Sequence, residues 1–195
     1  IEDGARLIST IQRLEGEVTA RGLRVISTAS PGGEDLTLQF SGLGRAGSTS
    51  KSPSPETQVF IEDNLVRVKR GEITEEYMVS ADGIRQDFLL EEPPRGEGEI
   101  RLELTLTGAI AAAAADGARF ILQDGDRSLI YAGLLTLDAL GREIPSRMVV
   151  ESPDTIALLV DDREATYPLR IDPTISDENW AGLQSGVQGT NSRVR

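Results

Sequence analysis

The stretch Thr155-Ile-Ala-Leu-Leu-Val160, Asp161-Asp-Arg-Glu-Ala165, Thr166-Tyr-Pro-Leu-Arg-Ile-Asp-Pro173 decides how this chain is read. Ile156, Leu158 and Val160 alternate with smaller or oppositely placed residues, and Tyr167, Leu169 and Ile171 do the same beyond the polar turn. A period of two sends alternate side chains to opposite faces of a pleated strand, so the stretch predicts two half-buried antiparallel strands closing a β domain as a hairpin. Pro168 has no N–H to give to a ladder, so the second strand is expected at a sheet edge or with its N–H side unpaired there, and Asp172-Pro173 is expected to stop it. The Tyr167 ring should be buried, with its hydroxyl at a partner or in water.

The same period runs through the chain upstream. Ile100-Arg-Leu-Glu-Leu-Thr-Leu-Thr107 alternates most cleanly, so one face meets the core and the other water. On this reading Leu102, Leu104, Leu106, Phe120, Leu158, Tyr167, Leu169 and Ile171 are core residues, while Arg101, Glu103, Thr105 and Arg170 point outward. Further strands are expected near Val18 and at 23–27, 36–40, 58–61, 65–70, 73–80, 84–90, 118–122, 128–132, 134–138 and 144–150. Gly, Asp and Pro punctuate them, and no βαβ spacing appears. The fold class is therefore all-β, an antiparallel β-sandwich or rolled sheets with at most short helices.

Pro93-Pro94 divides the chain into a first β lobe at 15–92 and a second at 95–173, either as parts of one domain or as two. Residues 1–14 carry apolar positions at Ala5, Leu7, Ile8, Ile11 and Leu14, which suits a short helix or an unstructured lead-in. The Gly, Ser and Pro of 41–56 read as a long loop between strands. The run Ala111 to Ala115 has high helix propensity but is too short to sustain a helix, leaving a loop, a strand extension or one turn. Residues 174–195 lose all periodicity and read as a linker to a downstream domain.

Composition narrows the chemistry. The 195 residues include only four Phe, three Tyr and one Trp, so Leu, Ile and Val must supply most of the buried area. The net charge is −12, and every basic residue except Lys51 and Lys69 is an arginine. These arginines are not clustered as a nucleic-acid surface requires. With no Cys and no His, disulfides, thiolates and imidazole chemistry are excluded. No apolar run is long enough for a membrane-spanning helix. A chain that starts at Ile1 rather than Met is expected to be a piece of a longer precursor.

Few residues remain as site candidates. The carboxylate pairs Asp161-Asp162 and Glu75-Glu76 are adjacent, and adjacent residues on a strand diverge, so neither suits an opposed acid and base. A Ser-Lys dyad would need Lys51, in the Gly/Ser loop, or Lys69, on an alternating strand and facing water. Asp124-Gly-Asp126 has the spacing to aim two carboxylates at a calcium ion, but it lacks the 12-residue ligand loop and also suits an ordinary turn. A glycan site would want an aromatic platform, and Trp180 lies beyond the last strand. No catalytic, cofactor or metal residue is therefore assigned.

Glu75-Glu-Tyr77, Asp82-Gly-Ile84, Gln86-Asp-Phe88, Pro93-Pro94, Tyr131-Ala-Gly-Leu134, Asp138-Ala-Leu-Gly-Arg-Glu143 and Tyr167-Pro-Leu-Arg-Ile-Asp-Pro173 carry a resemblance. Together they resemble a β-rich region of large secreted bacterial proteins that precedes β-propeller-type repeats of the SBBP or FG-GAP kind. The resemblance covers about Glu15 to Asn179 and implies an extracellular or cell-surface location, with no catalytic residue to carry over. The function expected is a non-enzymatic spacer or presenting domain of a larger bacterial surface protein, partnered by its downstream domain and by neighbouring copies or surface components. The alternatives are a calcium- or carbohydrate-binding β-sandwich, and a subunit joined to an extracellular assembly through its tail.

Overall fold

The computed structural model describes residues 4–29, 34–48, 52, 54, 56–123 and 127–178. Within them, period-two sequences become strands throughout: β1 Gly4–Ser9, β2 Leu14–Thr19, β3 Gly22–Ser27, β4 Asp35–Arg45, β5 Thr57–Glu62, β6 Leu65–Arg70, β7 Ile73–Ser80 and β8 Gly83–Leu90. The series continues with β9 Ile100–Thr107, β10 Ala109–Ala114, β11 Gly117–Leu122, β12 Ser128–Leu137, β13 Ser146–Ser152, β14 Thr155–Val160 and β15 Leu169–Asp177. They form two open antiparallel sheets, β1-β2-β3-β4-β9-β14-β13 and β10-β11-β12-β15-β8-β7-β6-β5. The protein is an all-β sandwich.

Its core lies between the two inner faces. Leu102, Leu104, Leu106, Phe120, Leu158, Leu169 and Ile171 are all buried, as the alternation predicts, and Tyr167 packs against them half-buried. Phe40 of the first sheet meets Phe88 of the second at 6.4 Å between ring centroids, and Phe120 stacks on Tyr131 at 5.6 Å. Arg101, Glu103, Thr105 and Arg170 are half-buried rather than exposed. Arg101 folds its aliphatic stem over the outer face to reach Glu103 at 2.7 Å, and long basic side chains commonly cover surface in this way.

The stretch 155–173 is not a hairpin. Thr155–Val160 pairs with β9 and β13 in one sheet, whereas Leu169–Asp177 pairs with β12 and β8 in the other, so 161–168 is a crossover between layers. Period-two alternation fixes which side chains share a face but does not say which strand supplies the ladder. The second strand is likewise central and does not stop at Pro173. Pro168, joined to Tyr167 by a cis bond, precedes the strand, while Pro173 sits inside it. Opposite Pro173 the register with β12 slips between Ala132 and Leu135. That bulge is where a central ladder can do without one N–H.

Four further expectations are corrected. Residues 4–9 and 14–19 form a β-hairpin rather than a helix, because Ala5 and Leu7 face the core and a ladder partner is present in β2. Ser41 to Arg45 continue β4 through a bulge at Phe40 and Gly42, since β9 supplies the partner ladder and Leu43 buries there. The alanine run is the edge strand β10, its register set by β11. The segments 128–132 and 134–138 are a single bulged strand. The proposed lobes also interleave: β4 pairs with β9 and β8 with β15, so each sheet draws on both sides of Pro93-Pro94.

Gly108 allows the sharp passage from β9 to β10 between layers. Its φ is +80°, and a Cβ there would lie 2.4 Å from the Asp35 carbonyl oxygen.

Candidate functional site

The crossover 161–168 has to leave one sheet, pass the end of the sandwich and enter the other, so its backbone groups need partners that no ladder supplies. Two polar assemblies provide them. In the first, Asp138 caps the turn after β12, accepting the N–H groups of Leu140 and Arg142 at 2.9 Å each and of Thr166 at 3.1 Å. Arg142 adds charged bonds to Asp138 at 2.7 and 2.9 Å and reaches the Glu164 carbonyl oxygen at 2.8 Å. Burial alone would raise the Asp138 carboxyl, but the Arg142 N–H and guanidinium, with the Thr166 and Leu140 N–H groups, outweigh it and hold the group at about 2.

In the second, Asp162 accepts from Arg45 Nη1 at 2.6 Å through one oxygen and from the Tyr167 hydroxyl at 2.6 Å through the other. Arg45 also donates to the Pro94 and Gly98 carbonyl oxygens at 3.0 Å. The Tyr167 hydroxyl is therefore at a partner, and its pKa is raised by burial and by the Asp162 acceptor. Beside the crossover lies a 430 Å³ cleft lined by Arg142, Glu143, Ile144, Pro145, Asp161, Arg163 and Glu164. Asp161 is held there by Arg163 at 2.5 and 2.8 Å, and that hydrogen bonding keeps its carboxyl at about 2. A carboxylate so acidic is a poor general base near neutrality.

Asp161 and Asp162 thus face different surroundings, the cleft and the packed crossover. Glu75 and Glu76 diverge as well. Glu75 is fully buried between the sheets, bonded to Arg70 Nε at 2.5 Å, to the Tyr77 hydroxyl and to Gln86 Nε2 at 3.2 Å. Tyr131 extends this network by donating to Gln86 Oε1 at 2.8 Å. Burial first, then the Glu75 charge, raises both tyrosine hydroxyls well above their usual range. Both hydroxyls therefore stay protonated near neutral pH, and the network braces the core, with Arg70 Nη2 left buried and without a hydrogen-bond partner among the described residues.

Glu76 lies on the outer face, in a lattice the sequence reading missed. Arg67 meets Glu76 at 2.6 Å, Arg170 meets Glu76 at 2.9 Å and also Asp87, and Arg85 bridges Asp87 at 2.7 Å and Asp172 at 2.6 Å. Desolvation and the neighbouring Asp87 charge raise the Asp172 carboxyl to about 6. The signal was present in the register: Arg67, Glu76 and Asp87 are successive cross-strand partners, but pairings between strands are not written in the period of any one strand.

Lys69 is exposed on its strand, as expected. Lys51, Asp124-Gly-Asp126 and Trp180 lie outside the described residues. Among the described residues no group of three or more potential metal-ligating side chains comes together, and no helix is long and apolar enough to cross a membrane.

Comparison with protein-family models, with curated proteins and with solved structures yields no match. The turn beginning at Asp138 clasps Thr166, immediately before Tyr167-Pro168.

Proposed function

We propose that this chain is a non-enzymatic spacer or presenting module of a larger secreted or cell-surface bacterial protein. The observation that carries the reading is where the described chain begins and ends. Gly4 and Ser9 are the two ends of β1, and the turn after Ser9 holds the end of β15, because the Asp177 N–H donates to Gln12 Oε1 at 3.0 Å. Gly4 and the end of β15 therefore lie at opposite ends of the sandwich, about 17 Å apart along the strands. Serial modules need such a path.

Polar side chains gathered at the crossover and in the core are used as fasteners. Asp138, Asp161, Asp162 and Glu75 each have an arginine partner, so their charges are spent on holding segments together. The outside location rests on the resemblance.

Thermal melting tests the reading against its rival. Saturating calcium or soluble glycans should leave the melting temperature unchanged, because only a ligand that prefers the native state raises it. A clear rise with calcium or a glycan would replace the spacer reading with a binding module. Protease treatment of intact source cells should release the domain; full protection would overturn the location.

A further inference from the structure

An open sheet ends in strands whose outer row of backbone N–H and C=O groups has no ladder to join, so each edge has to be blunted or used. Three of the four edges are blunted. β1 carries Arg6 at its middle. β13 carries Arg147 and Glu151 and slips register between Val150 and Ser152. β10 gives the Ala111 N–H to the Pro153 carbonyl oxygen at 2.7 Å, which covers part of its free side.

β5 is different. It pairs with β6 at all six positions without a bulge, and among the described residues nothing bonds to the backbone of 58–61 on its other side. The run Thr57-Gln-Val-Phe-Ile-Glu62 has no Lys, Arg, Pro or Gly and is charged only at its end, and its β-branched and aromatic residues suit a pleated ladder. Phe60 is on the outer face opposite Arg67 and is 45% exposed. Ile61 is on the core side opposite the buried Val66, yet it is 59% exposed, so the first sheet does not close over the free side of β5.

We propose that β5 is an interface at which a second copy of this chain adds its own β5, antiparallel, about a two-fold axis through Phe60. Such an axis, perpendicular to the sheet, keeps every residue on its own face, so only positions of equal parity can meet. With Phe60 opposite its counterpart, Val59 meets Ile61 on the core side, and Gln58 meets Glu62 on the outer side, where the amide can donate to the carboxylate. Slipping the pairing by two residues one way sets Glu56 against Glu62, and slipping it the other way sets Phe60 against Glu62. The central register alone matches apolar with apolar and opposes no like charges, so the strand is complementary to itself. The contact joins the two eight-stranded sheets edge to edge, and its small area makes it a reversible one.

Sedimentation of the full chain over about 5 to 500 µM should show a mass that rises from 21.0 kDa towards twice that value and no further, since a two-fold contact closes on itself. Phe60→Lys opposes two ammonium groups at the axis and should weaken association at least about tenfold, while Gln58→Glu sets a like charge against Glu62 twice and should weaken it about threefold or more. Far-UV circular dichroism and melting of both variants should stay native, because the altered side chains are exposed. The chain has no cysteine, so Phe60→Cys carries a single thiol. Opposed residues of antiparallel strands lie about 4.5 to 5.5 Å apart at Cα, within disulfide range, so mild oxidation should convert most of this variant to covalent dimer. Ile121→Cys, exposed near the other edge of the same sheet, should give little.

A mass that stays at 21.0 kDa throughout would overturn the proposal, as would a dimer that persists in Phe60→Lys or a disulfide yield no higher at position 60 than at position 121. Growth beyond the dimer would overturn it too, because edges other than β5 would then be pairing. Should Phe60→Lys fail to fold, Gln58→Glu and Phe60→Cys still decide the matter.

Discussion

Arg45 and Asp162, 117 residues apart in sequence, are joined at 2.6 Å, and both side chains are only 8% exposed. This pair links the end of β4, the proline connection through Pro94 and Gly98, and the crossover that carries the chain between sheets. Removing one member leaves the other charge buried without a partner. Arg45→Ala and Asp162→Ala should each cost about 3 to 5 kcal/mol in urea unfolding, and the double variant should cost clearly less than their sum. Tyr167→Phe, which takes one donor from Asp162, should cost about 1 to 3 kcal/mol. Losses below about 0.5 kcal/mol would show that the crossover does not depend on this pair.

The pH dependence of stability should have two arms of opposite sign. Asp172 titrates at about 6 in the folded protein, where it faces Asp87, Arg85 and Arg170, against about 3.9 in an unfolded chain. Between about pH 4 and 6 the folded state holds a proton that the unfolded state has released, so this group makes stability fall as pH rises through that window. Asp172→Asn should flatten that arm.

Asp138 acts in the other direction, with a folded pKa of about 2 that lies below the unfolded value of about 3.9. Its contribution is fully present above about pH 4 and is lost as the pH falls towards 2. Asp138→Asn should remove that acid arm. Denaturant midpoints collected across pH for the parent and the two variants separate the arms, and an unchanged profile in either variant would refute its assignment.

Leu104 is completely buried, while Thr107 on the same strand is exposed. Leu104→Ala should cost about 2 to 5 kcal/mol, and Thr107→Ala should stay within about 0.5 kcal/mol. Equal effects at the two positions would contradict the inward and outward assignment of β9.

The end of β15 belongs to the fold. Ile175 is fully buried and pairs with Ile84, and a Cβ on Gly83 would lie 2.0 Å from the Ile175 carbonyl oxygen. Truncation after Pro173 should therefore cost at least about 3 kcal/mol, because it removes this side chain and the ladder on both sides of it. Gly83→Ala should destabilise by about 1 to 3 kcal/mol through backbone displacement. Thermal melts of the two variants check both values, and a truncated chain as stable as the parent would return 174–178 to the linker.

Local alternation was enough to read the all-β class, the inward faces of β9 and β14, the burial of Leu169 and Ile171 and the divergence of Glu75 from Glu76. The reason is geometric, since a period of two assigns each residue to a face wherever the strand ends up. What alternation leaves open is which strand lies beside which, because ladder hydrogen bonds join backbone groups and carry no residue code. Only the tertiary structure could therefore turn the stretch 155–173 from a hairpin into a crossover. It alone let β9 supply a ladder to the Gly-rich end of β4 and β11 supply one to the alanine run, and it placed Pro173 opposite a bulge inside a central strand. The same holds for the side-chain assemblies. Arg45 with Asp162, Asp138 with Thr166, and Asp87 with Asp172 come from distant parts of the sequence and meet only in the folded chain, the first two at the crossover between layers and the third across neighbouring strands of one sheet.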